Sequence, residues 1–303
     1  MNPPRILVRV PASTANIGPA FDCLALALDL CNEAEFELAG PGIDIQVEGE
    51  GAERLPRHER NLVYRAVRRV YEEVSEAPPQ DIRIRCHNKI PLGSGLGSSA
   101  AASLAGLLGA NALLGHPLKP ELILRLGAEL EGHADNLAAA LYGGLVLVKH
   151  TDWRTTAQPL ACAAWPAVYV LPSVRLSTRA ARAALPKKVS MADVVFNLGH
   201  ALAVREALGS GNLPALAEAM HDRLHQPYRL PLLAGAGEAI LAAQQLGAAA
   251  GLSGAGPGVI AFVSEGNQAA VQQAMQAAFE QRSVTTRAWT FACTSQGAES
   301  TLL

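Results

Sequence analysis

Charged residues are scarce in this sequence. Asp, Glu, Lys and Arg make up 17% of its 303 residues, and the formal net charge is −2 at pH 7. No long run of like charges occurs, so nothing here indicates a general nucleic-acid-binding protein. Half of the residues are apolar, which is typical of a globular chain and not of a disordered one. The length allows one large domain or two medium-sized domains.

Cysteine is also rare, with five residues scattered along the chain. No two of them lie two or three positions apart, which excludes a zinc ribbon and a CxxC redox pair. An odd number of scattered cysteines fits a reducing compartment better than a disulfide scaffold. The first residues, "MNPPRILVRV", contain no long apolar segment, so we expect no signal peptide and a cytoplasmic location.

Long hydrophobic runs are absent. The longest small and apolar run covers residues 100–114, and serine, glycine and asparagine interrupt it. A helix that crosses a bilayer needs about 20 residues, so we expect a buried helix here and no membrane partner. Tandem repeats and low-complexity segments are absent as well.

The hydrophobic patterns predict strands and helices in both halves of the chain. The first half has strands at residues 5–12 and 81–91, a hairpin at 34–51, and helices at 60–74 and from about residue 98. Strands and helices alternate again after residue 167. This order favours an α+β chain whose two halves join near residues 150–165.

The stretch "PLGSGLGSSAA" at residues 91–101 joins a predicted strand to a predicted helix. Its glycines allow positive φ and close backbone approach, and the free N–H groups of a helix N-terminus attract anions. Ser98 and Ser99 can cap the helix or offer hydroxyls to phosphate. The stretch is neither a Walker A loop nor a dinucleotide fingerprint. It predicts a polyphosphate site, with an ordinary strand-to-helix turn as the alternative.

Two more stretches strengthen the phosphate interpretation. "VPASTANIGPAFDCLALAL" concentrates polar residues beside a turn, and "GLSGAGPGVIAF" is a second glycine loop. With "PASTANIGPAFD", "IPLGSGLGSSAAA" and "GLSGAGPG" in this order, essentially the whole chain resembles the GHMP kinases. Three positions depart from the family pattern: Ala20 and Ala25 replace frequent glycines, and Gly258 replaces a usual Thr or Ser.

The resemblance implies a fold and a reaction. The fold has an N-terminal domain like ribosomal protein S5 domain 2, expected at residues 1–155, and a C-terminal ferredoxin-like domain, expected at 156–303, with the active site between them. "LEGHADNLAAALYGG", "STRAAR" and "HDRLHQPYR" resemble the members that phosphorylate L-homoserine. The implied reaction converts ATP and L-homoserine to ADP and O-phospho-L-homoserine with Mg²⁺, in threonine biosynthesis. A homodimer is expected by analogy with the family.

The resemblance also implies an ATP site and a metal site. The predicted ATP-binding residues are Asn61, Val63, Lys89, Pro91, Leu92, Gly93, Ser94, Gly95, Leu96, Gly97, Ser98 and Ser99. Alternatives are helix capping for Asn61 and a solvent-facing strand edge for Lys89. The predicted Mg²⁺ ligands are Ser99 and Glu131, with Glu129 as the alternative for the carboxylate.

The implied substrate-binding residues are Asn16, Asp22, His133, Asn136, Thr178, Arg182 and Arg229. Arg182 and Arg229 suit the carboxylate of homoserine, and Asp22 suits its ammonium group, with an Asx turn as the alternative for Asp22.

The predicted catalytic residues, Asn16, His133 and Asn136, are expected to orient the reacting hydroxyl. Asn136 stands where mevalonate kinase-like members have a catalytic aspartate, and asparagine cannot accept a proton at neutral pH. Asp135 is one residue away, which on a helix turns it by about 100°. We therefore expect transfer without a protein base.

Two other functions stay open at this point. One is a GHMP kinase that acts on a sugar or an isoprenoid-precursor alcohol, and the other is a non-catalytic binding module on the same fold. Arg182 and Arg229 bear on the first alternative, because a neutral sugar needs no cationic partner.

Overall fold

Two β-sheets organise the chain in the computed structural model, which describes residues 4–151 and 155–303. Within these residues the first sheet has seven strands in the order β11-β1-β2-β4-β3, with β5 paired to β2 and β6 paired to β5. Its strands are β1 (Arg5–Ala15), β2 (Leu24–Glu37), β3 (Ile43–Gly49), β4 (Ile82–Asn88), β5 (Leu145–His150), β6 (Thr155–Leu160) and β11 (Glu299–Leu302).

Four helices pack together with the first sheet: α1 (Leu62–Glu73), α2 (Ser98–Leu113), α3 (Pro120–Glu131) and α4 (Asp135–Tyr142). Their buried side chains form one core with the sheet. Helix α2 packs closely against α1 at Gly106, where a Cβ would lie only 2.1 Å from the Val63 carbonyl oxygen. The absence of a side chain at this position permits the close approach. Most of α2 is buried, as the sequence predicts for this apolar run.

The predicted hairpin at residues 34–51 is wrong. Strand β3 does not pair with β2; it runs parallel to β4, with Ile43 opposite Ile82 and Val47 opposite Cys86. Helix α1 connects β3 to β4, and β4 lies between β3 and β2. Alternation of apolar residues indicates which side chains face the core, but it does not select the neighbouring strand.

The second sheet contains β7 (Pro166–Pro172), β8 (Ala249–Leu252), β9 (Val259–Phe262) and β10 (Thr286–Ala292), in the antiparallel order β10-β7-β9-β8. Helices α9 (Ala236–Gln245) and α10 (Gln268–Glu280) bury apolar side chains against it. This is the ferredoxin-like arrangement that the resemblance implied. Between β7 and β8 lie α5 (Thr178–Ala183), α6 (Met191–Ser210), α7 (Leu213–Ala219) and α8 (Gln226–Arg229), with a 3₁₀ turn at Leu230–Leu232.

The α+β, two-part fold is confirmed. The domain ranges 1–155 and 156–303 stay a prediction, and their boundary adjoins residues 152–154, which lie outside the described residues. Strand β6, which begins at Thr155 and continues into the second range, and strand β11, which lies wholly in it, both belong to the first sheet. No helix within the described ranges is long and apolar enough to cross a membrane.

Candidate active site

One cavity of about 390 Å³ collects the three motifs. It is lined by residues from the loop after β1, from the glycine loop at 91–97 and from the loop that joins β8 to β9. The N-termini of α2 and α4, the C-terminal ends of α3 and α8, and helix α5 also contribute to its wall. All seven predicted substrate-binding residues line this cavity, as do the two predicted Mg²⁺ ligands.

The glycine loop needs its glycines. Gly93, Gly95 and Gly97 have φ values of +63°, +84° and +70°. A Cβ on Gly95 would lie 2.1 Å from the Ser253 carbonyl oxygen, and one on Gly97 would lie 2.4 Å from Ser13 Oγ. The loop is therefore packed between the first and third motifs, and these contacts hold its backbone in place.

The N-terminus of α2 opens onto the cavity. Its N-cap is Gly97, and no side chain caps it, so the prediction that Ser98 and Ser99 cap this helix is wrong. Ser98 Oγ donates to the Ile90 carbonyl oxygen at 3.3 Å, while Ser99 Oγ donates to Glu131 Oε1 at 2.9 Å. No side chain among the described residues caps the first N–H groups of α2, and free N–H groups at a helix N-terminus attract anions.

Tyr169 supports the glycine loop from the second sheet. Its buried hydroxyl donates a hydrogen bond to the Ser94 carbonyl oxygen, and burial raises the pKa of this phenol. A Cβ on Gly258 would lie 1.9 Å from the same hydroxyl, so a larger residue at 258 would displace the Tyr169 side chain. Glycine replaces the usual Thr or Ser at position 258, and the Tyr169 side chain fills the space that a larger residue would need.

Glu131, and not Glu129, faces the cavity. Glu131 Oε1 accepts hydrogen bonds from Ser99 Oγ at 2.9 Å and from Ser103 Oγ at 2.6 Å. Glu129 instead forms ion pairs with Arg69 and Arg125 on the outer side. No cluster of three or more His, Cys, Asp or Glu side chains suited to a metal occurs in the described residues. One carboxylate and one hydroxyl are oxygen ligands of the kind that Mg²⁺ prefers, so Glu131 and Ser99 could hold this ion.

Two predicted substrate contacts, Asp22 and Arg182, pair with each other. Arg182 donates two hydrogen bonds to the Asp22 carboxylate, at 2.8 and 2.9 Å. This hydrogen-bonded partner raises the pKa of Arg182. Asp22 has φ of +54°. The pair joins the loop after β1 to helix α5, and both side chains remain partly exposed at the cavity wall.

Arg229 is a buried cation at the same wall, with 1% relative exposure. It donates to His225 Nδ1 at 3.1 Å and to the Gly254 carbonyl oxygen at 3.3 Å. No carboxylate lies within 4.0 Å of its guanidinium in the part of the chain that the structure describes. Burial, and then the charge of Arg182, lower its pKa, but arginine keeps its proton in proteins. A buried charge without a counter-ion is costly, so this position favours an anionic ligand.

His225 orients Arg229, and the sequence analysis missed it. Its Nε2 lies 2.6 Å from the Gly18 carbonyl oxygen and therefore carries the proton, which leaves Nδ1 to accept from Arg229. Burial lowers the pKa of His225 and keeps the ring neutral. The ring also stacks on Phe21, with centroids 5.4 Å apart. The spacing of four residues between His225 and Arg229 is a helical signal that could have found this pair.

Asn136 and His133 face the cavity with fixed orientations. Asn136 Oδ1 accepts a hydrogen bond from Ser13 Oγ at 3.0 Å, so its NH₂ group points the other way. His133 Nδ1 lies 3.0 Å from Asp135 Oδ1, and this hydrogen bond raises the pKa of His133. Burial alone would raise the pKa of Asp135, but His133 and the Asn136 N–H lower it.

The expectation that Asp135 turns away from the site is wrong. Asp135 lines the cavity, because at the first position of α4 its carboxylate bends back to accept the N–H of Asn136 at 2.8 Å. The angular step of 100° describes the Cα–Cβ directions of successive helical residues. It does not fix the carboxylate of a side chain that accepts a hydrogen bond from the next residue's backbone.

Asn16 and Thr178 are the two remaining predicted substrate contacts in the wall of the cavity. The Asn16 amide bonds the Gly254 carbonyl oxygen at 2.8 Å and the Asp22 N–H at 2.9 Å, so both of its ends already have partners. Thr178 is exposed at the rim, at the start of α5.

A second cavity, of about 240 Å³, adjoins the first and shares Gly93, Ser98 and Ser99 with it. Its wall is largely apolar and includes Val47, Leu55, Leu62, Val63 and Leu92. Asn61 also lines it, but the alternative of helix capping is confirmed for this residue. Its Oδ1 accepts the Val63 N–H at 2.9 Å, and its Nδ2 donates to the Pro56 carbonyl oxygen.

Three of the predicted ATP-binding residues line neither cavity. They are Lys89, Pro91 and Leu96. Lys89 is exposed at the end of β4, and its backbone N–H bonds Asn32 Oδ1, so the alternative of a solvent-facing strand edge describes its position.

Comparison with known proteins agrees with this geometry. The family model for the GHMP kinases N terminal domain matches residues 61–144, and the one for the GHMP kinases C terminal region matches residues 204–281. Homoserine kinase of Moorella thermoacetica is 44% identical over 281 residues, which cover 92% of this chain and 94% of that protein. This chain belongs to the GHMP kinase family, among the homoserine kinases.

Other members of the family agree. Homoserine kinase of a Synechococcus strain is 41% identical over 298 residues, covering 94% of this chain and 92% of that protein. The solved structure of homoserine kinase from Cytophaga hutchinsonii superposes with a TM-score of 0.87 at 31% identity, covering 98% of this chain and 97% of that one. The predicted family, fold class and use of ATP are therefore confirmed.

Proposed function

We propose that this protein transfers the γ-phosphoryl group of ATP to the hydroxyl of L-homoserine and releases ADP and O-phospho-L-homoserine. The observation that carries the proposal is Arg229, a buried guanidinium that faces the cavity without a carboxylate partner in the described residues. The acceptor alcohol must therefore bring its own anionic group. A carboxylate with a nearby ammonium group satisfies the charges that surround this position.

The charges along the wall match an amino acid. A carboxylate beside Arg229 and Arg182 would receive charge-assisted hydrogen bonds, and an ammonium beside Asp22 would find an acceptor. The Asp22–Arg182 pair is partly exposed, with exposed fractions of 28% and 37%. A zwitterion can therefore contact both members without leaving a buried charge unpaired. This arrangement would direct the hydroxyl of the side chain towards His133 and Asn136.

The two adjoining cavities give ATP its orientation. The apolar wall at Leu55, Val63 and Leu92 suits the adenine ring, and the shared residues Gly93, Ser98 and Ser99 carry the phosphates across to the acceptor. Backbone N–H groups of the glycine loop and of the α2 N-terminus would hold the phosphate oxygens.

Ser99 and Glu131 would hold the Mg²⁺ ion. Their oxygen atoms are 2.9 Å apart and lie beside the α2 N-terminus, which is where the phosphates are expected. When bound, the ion neutralises charge on the transferred phosphoryl group.

The transfer proceeds without a protein base in this proposal. Asn136 cannot take a proton, and the carboxylates of Asp22 and Asp135 are engaged by Arg182 and His133. His133 has an orienting role in this proposal and is not assigned as the base. Asn136, held by Ser13, and His133, held by Asp135, would orient the acceptor oxygen in line with the γ-phosphate. The hydroxyl proton would pass to phosphate or water late in a loose transition state.

A homodimer is part of the proposal, and helix α6 supports it. Met191, Val195, Leu198 and Leu202 are 61–75% exposed and recur every three or four residues, which is the spacing of a helix-packing seam. No Asp, Glu, Lys or Arg occurs from residue 194 to residue 204. A two-fold antiparallel contact would cover this stripe with its own copy and would bring the lysines at 187–188 towards Glu206. A cytoplasmic location is also proposed, since all five cysteines are free thiols.

ADP release with Mg-ATP tests the proposal against a panel of acceptors. The panel contains L-homoserine, D-homoserine, L-serine, L-threonine, mevalonate and galactose. We expect L-homoserine to give the highest kcat/KM. Faster turnover of another alcohol would reject the homoserine assignment, and ATP binding without any turnover would favour a non-catalytic module.

A further inference from the structure

Asp135 contacts two residues that are expected to meet the acceptor hydroxyl. Its Oδ1 lies 3.0 Å from His133 Nδ1 and accepts the backbone N–H of Asn136 at 2.8 Å. The Asp135 side chain is buried, and it lines the same cavity as both neighbours. A buried carboxylate in this position holds a ring and a helix start at the same time.

The contacts leave one polar side-chain nitrogen free on each neighbour. His133 Nδ1 is bound to Asp135, so Nε2 is the ring nitrogen left for a ligand, and it has no partner among residues 4–151 and 155–303. Asn136 Oδ1 is bound to Ser13, so its Nδ2 is left in the same way and has no partner in those ranges either. Both residues line the cavity beside the α2 N-terminus.

We infer that Asp135 is a positioning residue for phosphoryl transfer, which holds the His133 ring and the start of α4 so that His133 Nε2 and Asn136 Nδ2 meet the acceptor oxygen together. The inference rests on the proposed function, since it concerns the same acceptor. The hydrogen-bond acceptor is what matters, so an amide oxygen at this position should serve nearly as well as a carboxylate. Groups that orient metal ligands through hydrogen bonds commonly contribute tenfold to a hundredfold, and we expect an effect of similar size here.

Three variants test the inference. Asp135→Ala should lower kcat by about tenfold to a hundredfold and leave the KM for ATP within about twofold, because only the orientation of His133 and Asn136 is lost. Asp135→Asn should restore most of kcat, because its Oδ1 can accept both hydrogen bonds. Asp135→Ser keeps an acceptor for the Asn136 N–H but is too short for His133, and it replaces Asp135→Ala if that variant does not fold.

Coupling to His133 separates positioning from a general effect on folding. In a His133→Gln background, Asp135→Ser should cause no further loss of kcat, since the ring that it orients is absent. A loss that adds fully in the double variant would overturn the inference. An Asp135→Asn variant as slow as Asp135→Ser would also overturn it, because charge and not orientation would then be responsible.

Crystal structures of the wild type and Asp135→Ser give a readout that does not depend on turnover. The His133 ring should hold one orientation in the wild type and a different or mixed orientation in the variant. An unchanged ring overturns the inference, whichever alcohol the wild type phosphorylates. A ring that moves, in a protein that does not phosphorylate L-homoserine, rejects the proposed function alone.

Discussion

Arg229 owes its position to neutral neighbours, and no carboxylate in the described part of the chain forms an ion pair with it. Neutral His225 accepts one of its N–H groups, and the Gly254 carbonyl oxygen accepts another. Its guanidinium also lies 5.2 Å from the Phe21 ring centroid, where a cation is attracted by the ring face. A cation held so rigidly at a cavity wall loses little entropy when it binds a carboxylate.

Arg229→Lys tests this role directly. Lysine keeps the charge but loses the planar fork, so the KM for L-homoserine should rise about tenfold to a hundredfold while the KM for ATP stays nearly constant. Steady-state kinetics with each substrate varied in turn would measure both. Arg175→Lys is the matched control, because Arg175 is exposed and does not line the cavity. Equal effects on both KM values would contradict the assignment.

Glu131 and Glu129 make a second matched pair. Glu131→Gln should raise the free Mg²⁺ needed for half-maximal activity about tenfold, because a hard anionic ligand is lost beside Ser99. Glu129→Gln removes only surface ion pairs with Arg69 and Arg125, each worth up to about 1 kcal/mol. Its Mg²⁺ requirement should match the wild type. Activity measured over a Mg²⁺ series at fixed ATP decides between the two, and a larger shift in Glu129→Gln would reject Glu131 as the ligand.

Residue types at the site were largely predictable, but their pairings were not. The motifs identify Asp22 and Arg182 as charged groups for a substrate, yet the two are 160 residues apart, and nothing local reveals that they bond each other. Ser13 and His225 escaped prediction for the same reason, since their roles come from contacts with Asn136 and Arg229. Asp135 was misplaced because its orientation depends on a hydrogen bond at the helix start.

The glycine loop shows how an element can be fixed by packing on one side and left open on the other. Gly95 packs on the third motif, whereas a Cβ on Gly93 would meet nothing within 4 Å. Both glycines have positive φ, so alanine at either position is strained by about 1–2 kcal/mol. Of these two substitutions, only alanine at position 95 also causes a steric clash.

Gly95→Ala should therefore be much more harmful than Gly93→Ala. A Cβ 2.1 Å from the Ser253 carbonyl oxygen forces the loop away from the third motif, which should weaken ATP binding and lower Tm. In Gly93→Ala we expect only the backbone strain and a small decrease in Tm. Calorimetric ATP titration and thermal unfolding of both variants measure the difference. Equal behaviour would show that the packing against Ser253 does not hold the loop.

Individual strands and helices follow from periodicity, while their arrangement does not. Helix α1 and strand β4 lie close to the predicted positions because their apolar spacing is regular. The hairpin at 34–51 failed because the partner of β3 comes after α1, and β11 was not predicted at all. Such pairings depend on which apolar surfaces pack against each other in the folded protein, and the local sequence does not contain this information.

At the scale of the whole molecule, contacts between segments that are distant in the sequence join the two halves of the chain. Strand β11, at the C-terminal end, pairs with β1, and the loop between β8 and β9 packs on the glycine loop. Residues from both sequence halves therefore line one cavity, and neither half holds a complete site. This explains why motifs far apart in the sequence predict a common function.

Leu198→Glu tests the proposed dimer. A glutamate near the two-fold axis would place two like charges together, so the dissociation constant of the dimer should rise about a hundredfold or more. Light scattering after size-exclusion chromatography should show a dimeric wild type and a monomeric variant. The control is Leu241→Glu, which changes a leucine on α9 that is 55% exposed and should remain dimeric. A monomeric wild type would reject the dimer, and a dimeric Leu198→Glu variant would reject the α6 interface.

The most direct measurement is a crystal structure with L-homoserine, Mg²⁺ and a non-hydrolysable ATP analogue. The substrate carboxylate should accept hydrogen bonds from Arg229, its ammonium should lie beside Asp22, and its hydroxyl should lie between His133, Asn136 and the γ-phosphate. A homoserine whose carboxylate lies away from Arg229, or whose hydroxyl points away from the glycine loop, would contradict the central claim that this buried cation selects and orients the acceptor.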